Sequence, residues 1–127
     1  MNLKLAAILF GIVFLLVGIL GFFPSLAPNE MLFGIFHVNT AHNLVHLLSG
    51  AIALLCGMSS THVSRLYFRI FGLVYALVAV LGFVQGEGNL LGLISNNMAD
   101  AWLHAAIAAV SLTFGFAVRA RVLQRAI

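Results

Sequence analysis

His42 and His46 stand four residues apart in the run VNTAHNLVH, with Asn39 and Asn43 beside them. Imidazoles at positions i and i+4 share one face of a helix, where they can hydrogen-bond or supply two nitrogens to one metal ion. A second run, NNMADAWLH, carries Asn97, Asp100 and His104 with similar spacing. Taken together, His42, His46, Asp100 and His104 form a candidate ligand set in which the three histidines are the metal candidates. His46 and His104 could equally serve as axial ligands to a haem, or singly to another tetrapyrrole. The competing reading is structural, a hydrogen-bonded cluster that ties helices together. H-x-x-x-H alone decides little, because the run reads HNLVH and lacks the adjacent glutamate of the HExxH metalloprotease motif. Asn39 and Asn97 precede their apolar runs, as helix N-caps do, and Asp100 falls in the first turn, where the helix dipole favours a carboxylate. Asp100 occupies the position of His42 in the other run and is a candidate partner for it.

The elements that must position these groups are hydrophobic. Of 127 residues, 63% are hydrophobic and 7% are charged, far from the roughly 25% charged of a soluble domain. The mean hydropathy is +1.15. Four apolar segments, at about 5–23, 40–58, 66–85 and 99–118, are long enough to cross a bilayer. The first exceeds the usual ~7–15-residue core of a signal peptide, and Pro28 follows the small-residue site at Ser25 to Ala27, so a retained span is expected. The six basic residues, Lys4, Arg65, Arg69, Arg119, Arg121 and Arg125, lie near the N-terminus, in the link between the second and third segments or, for Arg69, just inside the third, and at the C-terminus. The three acids, Glu30, Glu87 and Asp100, lie toward the other side. The positive-inside rule then places both termini in the cytoplasm. So few bases, all at helix ends, mark topology and not a nucleic-acid partner. With Cys56 as the sole cysteine, an internal disulfide and a multi-cysteine zinc site are excluded.

The chain also resembles itself. FGIVFLLVGILGFF at 10–23 aligns with FGLVYALVAVLGFV at 71–84, and FGIFHVNTAHNLVHLLSGA at 33–51 with LGLISNNMADAWLHAAIAA at 91–109. The expected fold is therefore all-α: a single domain over 1–127, a four-helix membrane bundle of two tandem hairpin repeats, about 5–58 and 66–118, in the same orientation. On a helical wheel, Asn39, His42, Asn43, His46, Ser49, Gly50 and Gly57 share one face of the second helix. Gly11, Gly18, Gly72, Ala79 and Gly115 complete a set of small residues suited to close helix packing. Tyr75 and Gln85 are candidates to extend the polar set from the third helix. The apolar loop pieces MLFGIF and LLGLI are too short to span and are expected in the outer interface or over the bundle mouth.

Three strings carry a further resemblance: FGIFHVNTAHNLVHLLSGA, FGLVYALVAVLGF and NNMADAWLHAAIA. Their V-N-x-x-H-N-x-x-H run at 38–46 and N-x-x-D-x-x-x-H run at 97–104 resemble the small bacterial membrane-protein family called domain of unknown function 4383, over about residues 5–118. That resemblance implies a four-span inner-membrane protein and carries over no activity and no catalytic residue. From the residues themselves, no GxSxG elbow, phosphate-binding Gly-Lys loop or cleft carboxylate pair is present, so nothing points to an enzyme. The expected function is a non-catalytic structural, accessory or interaction protein of the bacterial inner membrane. Its partners would be the bilayer and either a second copy or a larger membrane complex, with no nucleic acid and no cofactor. The alternatives are a redox or metal-handling protein holding a transition metal or tetrapyrrole such as haem at the cluster, and, more weakly, a transporter or channel subunit.

Overall fold

The computed structural model describes residues 2–118; Arg119, Arg121 and Arg125 lie outside them. Its chain runs α1 (Leu3–Leu20), a 3-10 turn (Pro28–Glu30), β1 (Met31–Leu32), β2 (Phe36–His37), α2 (Thr40–Ser59), α3 (Thr61–Gln85), β3 (Gly88–Leu90), β4 (Ile94–Asn96), α4 (Met98–Leu112) and a π-helical turn (Thr113–Ala117). Four helical spans, the last including the π turn, are long and apolar enough to cross a membrane, which makes this a multi-pass membrane protein.

Helix bounds follow local chemistry. Asn2 caps α1 through its side-chain oxygen. The helix stops at Leu20, three residues earlier than expected, because Pro24 disfavours helical backbone just before it. The α3 helix begins five residues earlier than expected, at Thr61, because the Ser60 hydroxyl accepts from the Val63 amide at 3.1 Å. A one-residue link at Ser60 therefore joins α2 to α3. Gly86, at φ 73°, ends α3. At its far end α4 widens into the π turn, where the Gly115 carbonyl accepts from Arg69 Nε at 2.8 Å and Arg65 Nη1 at 3.1 Å. Two cations there suit the negative end of the helix dipole.

The apolar loops, too short to span as expected, are short antiparallel hairpins. Met31 pairs with His37, and Gly88 with Asn96. Each turn holds two consecutive positive-φ residues, Phe33 with Gly34 and Leu91 with Gly92, as type I′ turns require. Both hairpins sit at the end of the bundle opposite the Ser60 link.

Packing is inside-out relative to a soluble bundle. Leu9, Val13, Leu16, Leu48, Leu55, Leu73, Leu77 and Val80 are exposed, whereas His42, Asn43, His46, Asp100 and His104 are buried. A lipid solvent demands this arrangement, since helix association there depends on close fit and internal hydrogen bonds. The tightest contacts join α1 to α2 and α3 to α4. At the first of these, Gly11 and Gly50 meet backbone to backbone: a Cβ on either would stand 2.8 Å from the other's carbonyl oxygen. Gly18 and Gly57 sit in the same interface, against Leu47 and against Lys4 and Ile8. In the second hairpin, Gly72 faces Leu112 and Gly115 faces the Arg69 backbone, with Ala79 buried about two turns further along α3.

Candidate functional site

Asn39 and Asn97 begin their helices with extended backbone and use both ends of their amides. Asn39 Oδ1 accepts from the His42 amide at 2.8 Å, while its Nδ2 donates to the Leu93 carbonyl of the other hairpin at 2.9 Å. Asn97 Oδ1 accepts from the Asp100 amide at 2.9 Å, while its Nδ2 donates to the Ile35 carbonyl at 2.9 Å. The two hairpins are thus cross-latched. Ser95 adds a third link, its hydroxyl donating to the His37 carbonyl at 3.1 Å.

Below this latch the structure brings His42, His46 and His104 together. One ligand atom from each lies within 4.8 Å of the other two. His42 Nδ1 is 2.9 Å from the Ser95 carbonyl, and His42 Nε2 is 3.0 Å from His46 Nε2. A carbonyl can only accept, so His42 donates from Nδ1. In the neutral pair His42 Nε2 then accepts and His46 Nε2–H donates. His46 Nδ1 and His104 Nδ1 are buried with no hydrogen-bond partner among the described residues. Phe14 stacks on His46 at 5.3 Å between centroids, and Tyr75 lies 5.7 Å from His104. The three imidazole centroids are 4.9–6.0 Å apart, so they pack against one another and leave no slot for a macrocycle among them.

Not every candidate joins the cluster. Asp100 is buried, but its Oδ2 accepts from the Asn97 amide at 3.0 Å, closing a capping box. No ion pair between Asp100 and His42 forms among the described residues. Gln85 turns away, donating to the Asn89 carbonyl at 2.8 Å. Asn43, also buried, packs beside Gly21. Tyr75 does point inward, and its hydroxyl donates to Ser49 Oγ at 3.0 Å. Cys56 is a half-buried free thiol. His37 lies near Glu30, at 3.7 Å, outside the cluster.

Ser95, Asn96 and Tyr67 are functional neighbours that helical spacing did not mark. Ser95 supplies the carbonyl that orients His42. Asn96 Nδ2 donates to the Gly86 and Gly82 carbonyls at 2.7 and 3.3 Å, finishing α3. Tyr67 donates to the Ser49 carbonyl at 3.0 Å. The available signal was the self-alignment, in which serine and asparagine at 95 and 96 replace His37 and Val38.

Two seams join the hairpins. The α2/α3 seam encloses about 140 Å³, lined in part by His42, Ser49, Tyr75 and His104. The α1/α4 seam holds about 380 Å³, lined by Ala6, Phe10, Phe14, Val17, Ile107 and Phe114 among others, with His46 its one polar residue. No curated protein and no solved structure matches the chain. The family model for a domain of unknown function, DUF4383, matches residues 4–117, and the chain belongs to that family.

Proposed function

We propose that this is a non-catalytic accessory subunit of the bacterial inner membrane, whose α1/α4 seam receives a transmembrane helix of a partner subunit. The carrying observation is the inequality of the two seams. In the aligned repeats Phe14 corresponds to Tyr75, Ile107 to Ser49 and, continuing the alignment, Ala6 to Tyr67. The α2/α3 seam is therefore closed by two tyrosine hydroxyls on Ser49. The α1/α4 seam has apolar groups at all three places and a larger cavity. It runs along α1 from Ala6 to Val17, an apolar stripe at helical spacing that fits side chains of a partner helix.

A tandem duplication of one helix hairpin underlies this reading. It is supported by contacts that recur at aligned positions: Gly11 against Leu54 and Gly72 against Leu112, Gly57 against Ile8 and Gly115 against Arg69. The matched I′ turns and reciprocal asparagine latch add to it. Both repeats then share one orientation, and the basic residues Lys4, Arg65 and Arg69 put the Ser60 link and the termini on the cytoplasmic side.

Copying the closed seam onto the open one tests the proposal. Phe14→Tyr with Ile107→Ser is expected to keep the protein folded while cutting co-purified partner about tenfold, equivalent to about 1.4 kcal/mol. Undiminished recovery of the same partner would sink the reading.

A further inference from the structure

We propose that His42, His46 and His104 form a binding site for a single divalent first-row transition-metal ion of the zinc class. Their side chains are 2–4% exposed, and their ligand atoms already lie within 4.8 Å of one another. A tetrahedral ion with nitrogens at about 2.0–2.1 Å needs those nitrogens about 3.4 Å apart. His42 and His46 are at 3.0 Å, so they part slightly while His104 swings in by an ångström or so. The two residues on α2 occupy the i, i+4 positions that let one helix face give two ligands.

Two further observations point the same way. His42 donates Nδ1–H to a backbone carbonyl, which fixes its ring and leaves Nε2 as the lone pair facing the other histidines. Metal-bound histidines are oriented in this way. Moreover, the cluster does not satisfy its own polar atoms: among the described residues His104 Nδ1 is buried without a partner, and the unpaired His46 Nδ1 can take the proton that His46 Nε2 must give up to bind an ion. Neutral imidazoles suit zinc, cobalt, nickel and copper better than magnesium or calcium. Three protein ligands leave a fourth position open.

The test uses the full chain, purified in mild detergent, stripped with a chelator and titrated with cobalt(II), then competed with zinc. The expected result is one cobalt per chain with the intense visible absorption of a tetrahedral site, displaced by zinc. His104→Leu and His46→Gln should each weaken binding more than the roughly 10–100-fold produced by loss of an outer-shell partner. His37→Ala and His62→Ala should leave it unchanged. A variant that does not fold does not shield the proposal, since the wild-type spectrum stands alone. A weak octahedral spectrum, sub-stoichiometric binding, or affinity that follows His37 or His62 would overturn it.

Discussion

Replacing both Asn39 and Asn97 with alanine is expected to lower stability by about 4 kcal/mol, read by SDS-induced unfolding of the purified protein. Each asparagine supplies an N-cap, worth typically ~1 kcal/mol, and a hydrogen bond across the hairpins, worth about 1 kcal/mol. The two sites reach into each other's hairpin, at 2.9 Å in both directions, so the double variant leaves the links through Ser95 to hold that end of the bundle. Aspartate separates the contributions. Asn39→Asp with Asn97→Asp keeps an oxygen to accept from the His42 and Asp100 amides, but faces the Ile35 and Leu93 carbonyls with an acceptor. That pair should lose the cross-latch and retain the caps, giving about half the alanine effect. If the aspartate pair is as stable as wild type, the latch contributes nothing.

Gly50→Leu is expected to cost about 3 kcal/mol, at the upper end for overpacking. The magnitude follows from what a side chain would meet. A Cβ at position 50 stands 2.8 Å from both the Gly11 oxygen and the Leu15 nitrogen, and backbone atoms in a helix cannot rotate aside. The α1 helix would have to move bodily, breaking the contacts at Gly18 and Gly57 with it. Gly34→Ala offers the contrast. There a Cβ meets nothing within 4 Å, and only the positive φ of 71° opposes it. Its cost should stay near the roughly 1–2 kcal/mol of left-handed backbone. Equal losses for the two variants would argue against close α1/α2 packing as a main source of stability.

The four spans were legible because lipid makes hydrophobicity a nearly sufficient signal of a transmembrane helix. Charged residues at segment ends and Gly86 marked most boundaries. Thr61 to Arg65 did not read as helix because serines and a threonine usually signal a turn, yet the Ser60 hydroxyl makes them a first turn of α3. The hairpins were also hidden. Phe33 and Leu91 are poor candidates for positive φ, and the tertiary latch through Ile35 and Leu93 adds to the turns' own backbone hydrogen bonds in holding them in place. Within the site, helical spacing grouped His42, His46 and His104, because one helix face and one self-alignment relate them. It grouped Asp100 with them too, but the local amide of Asn97 competes for that carboxylate and holds it. The role of Ser95 rests on its backbone carbonyl, which no side-chain pattern can announce. The unequal seams emerge only when aligned residues are set in space, where Tyr75 with Ser49 closes one gap and Phe14 with Ile107 leaves the other open.

A photoreactive amino acid placed at Val13, in native membranes, tests the partner-receiving seam most directly. Val13 lines the α1/α4 cavity and is 59% exposed on the isolated chain. Leu77, 61% exposed on α3 and outside that cavity, is the control. The account predicts one discrete protein adduct from Val13, none from Leu77, and loss of the Val13 adduct when Phe14→Tyr and Ile107→Ser are added. Lipid adducts alone at both positions would contradict it.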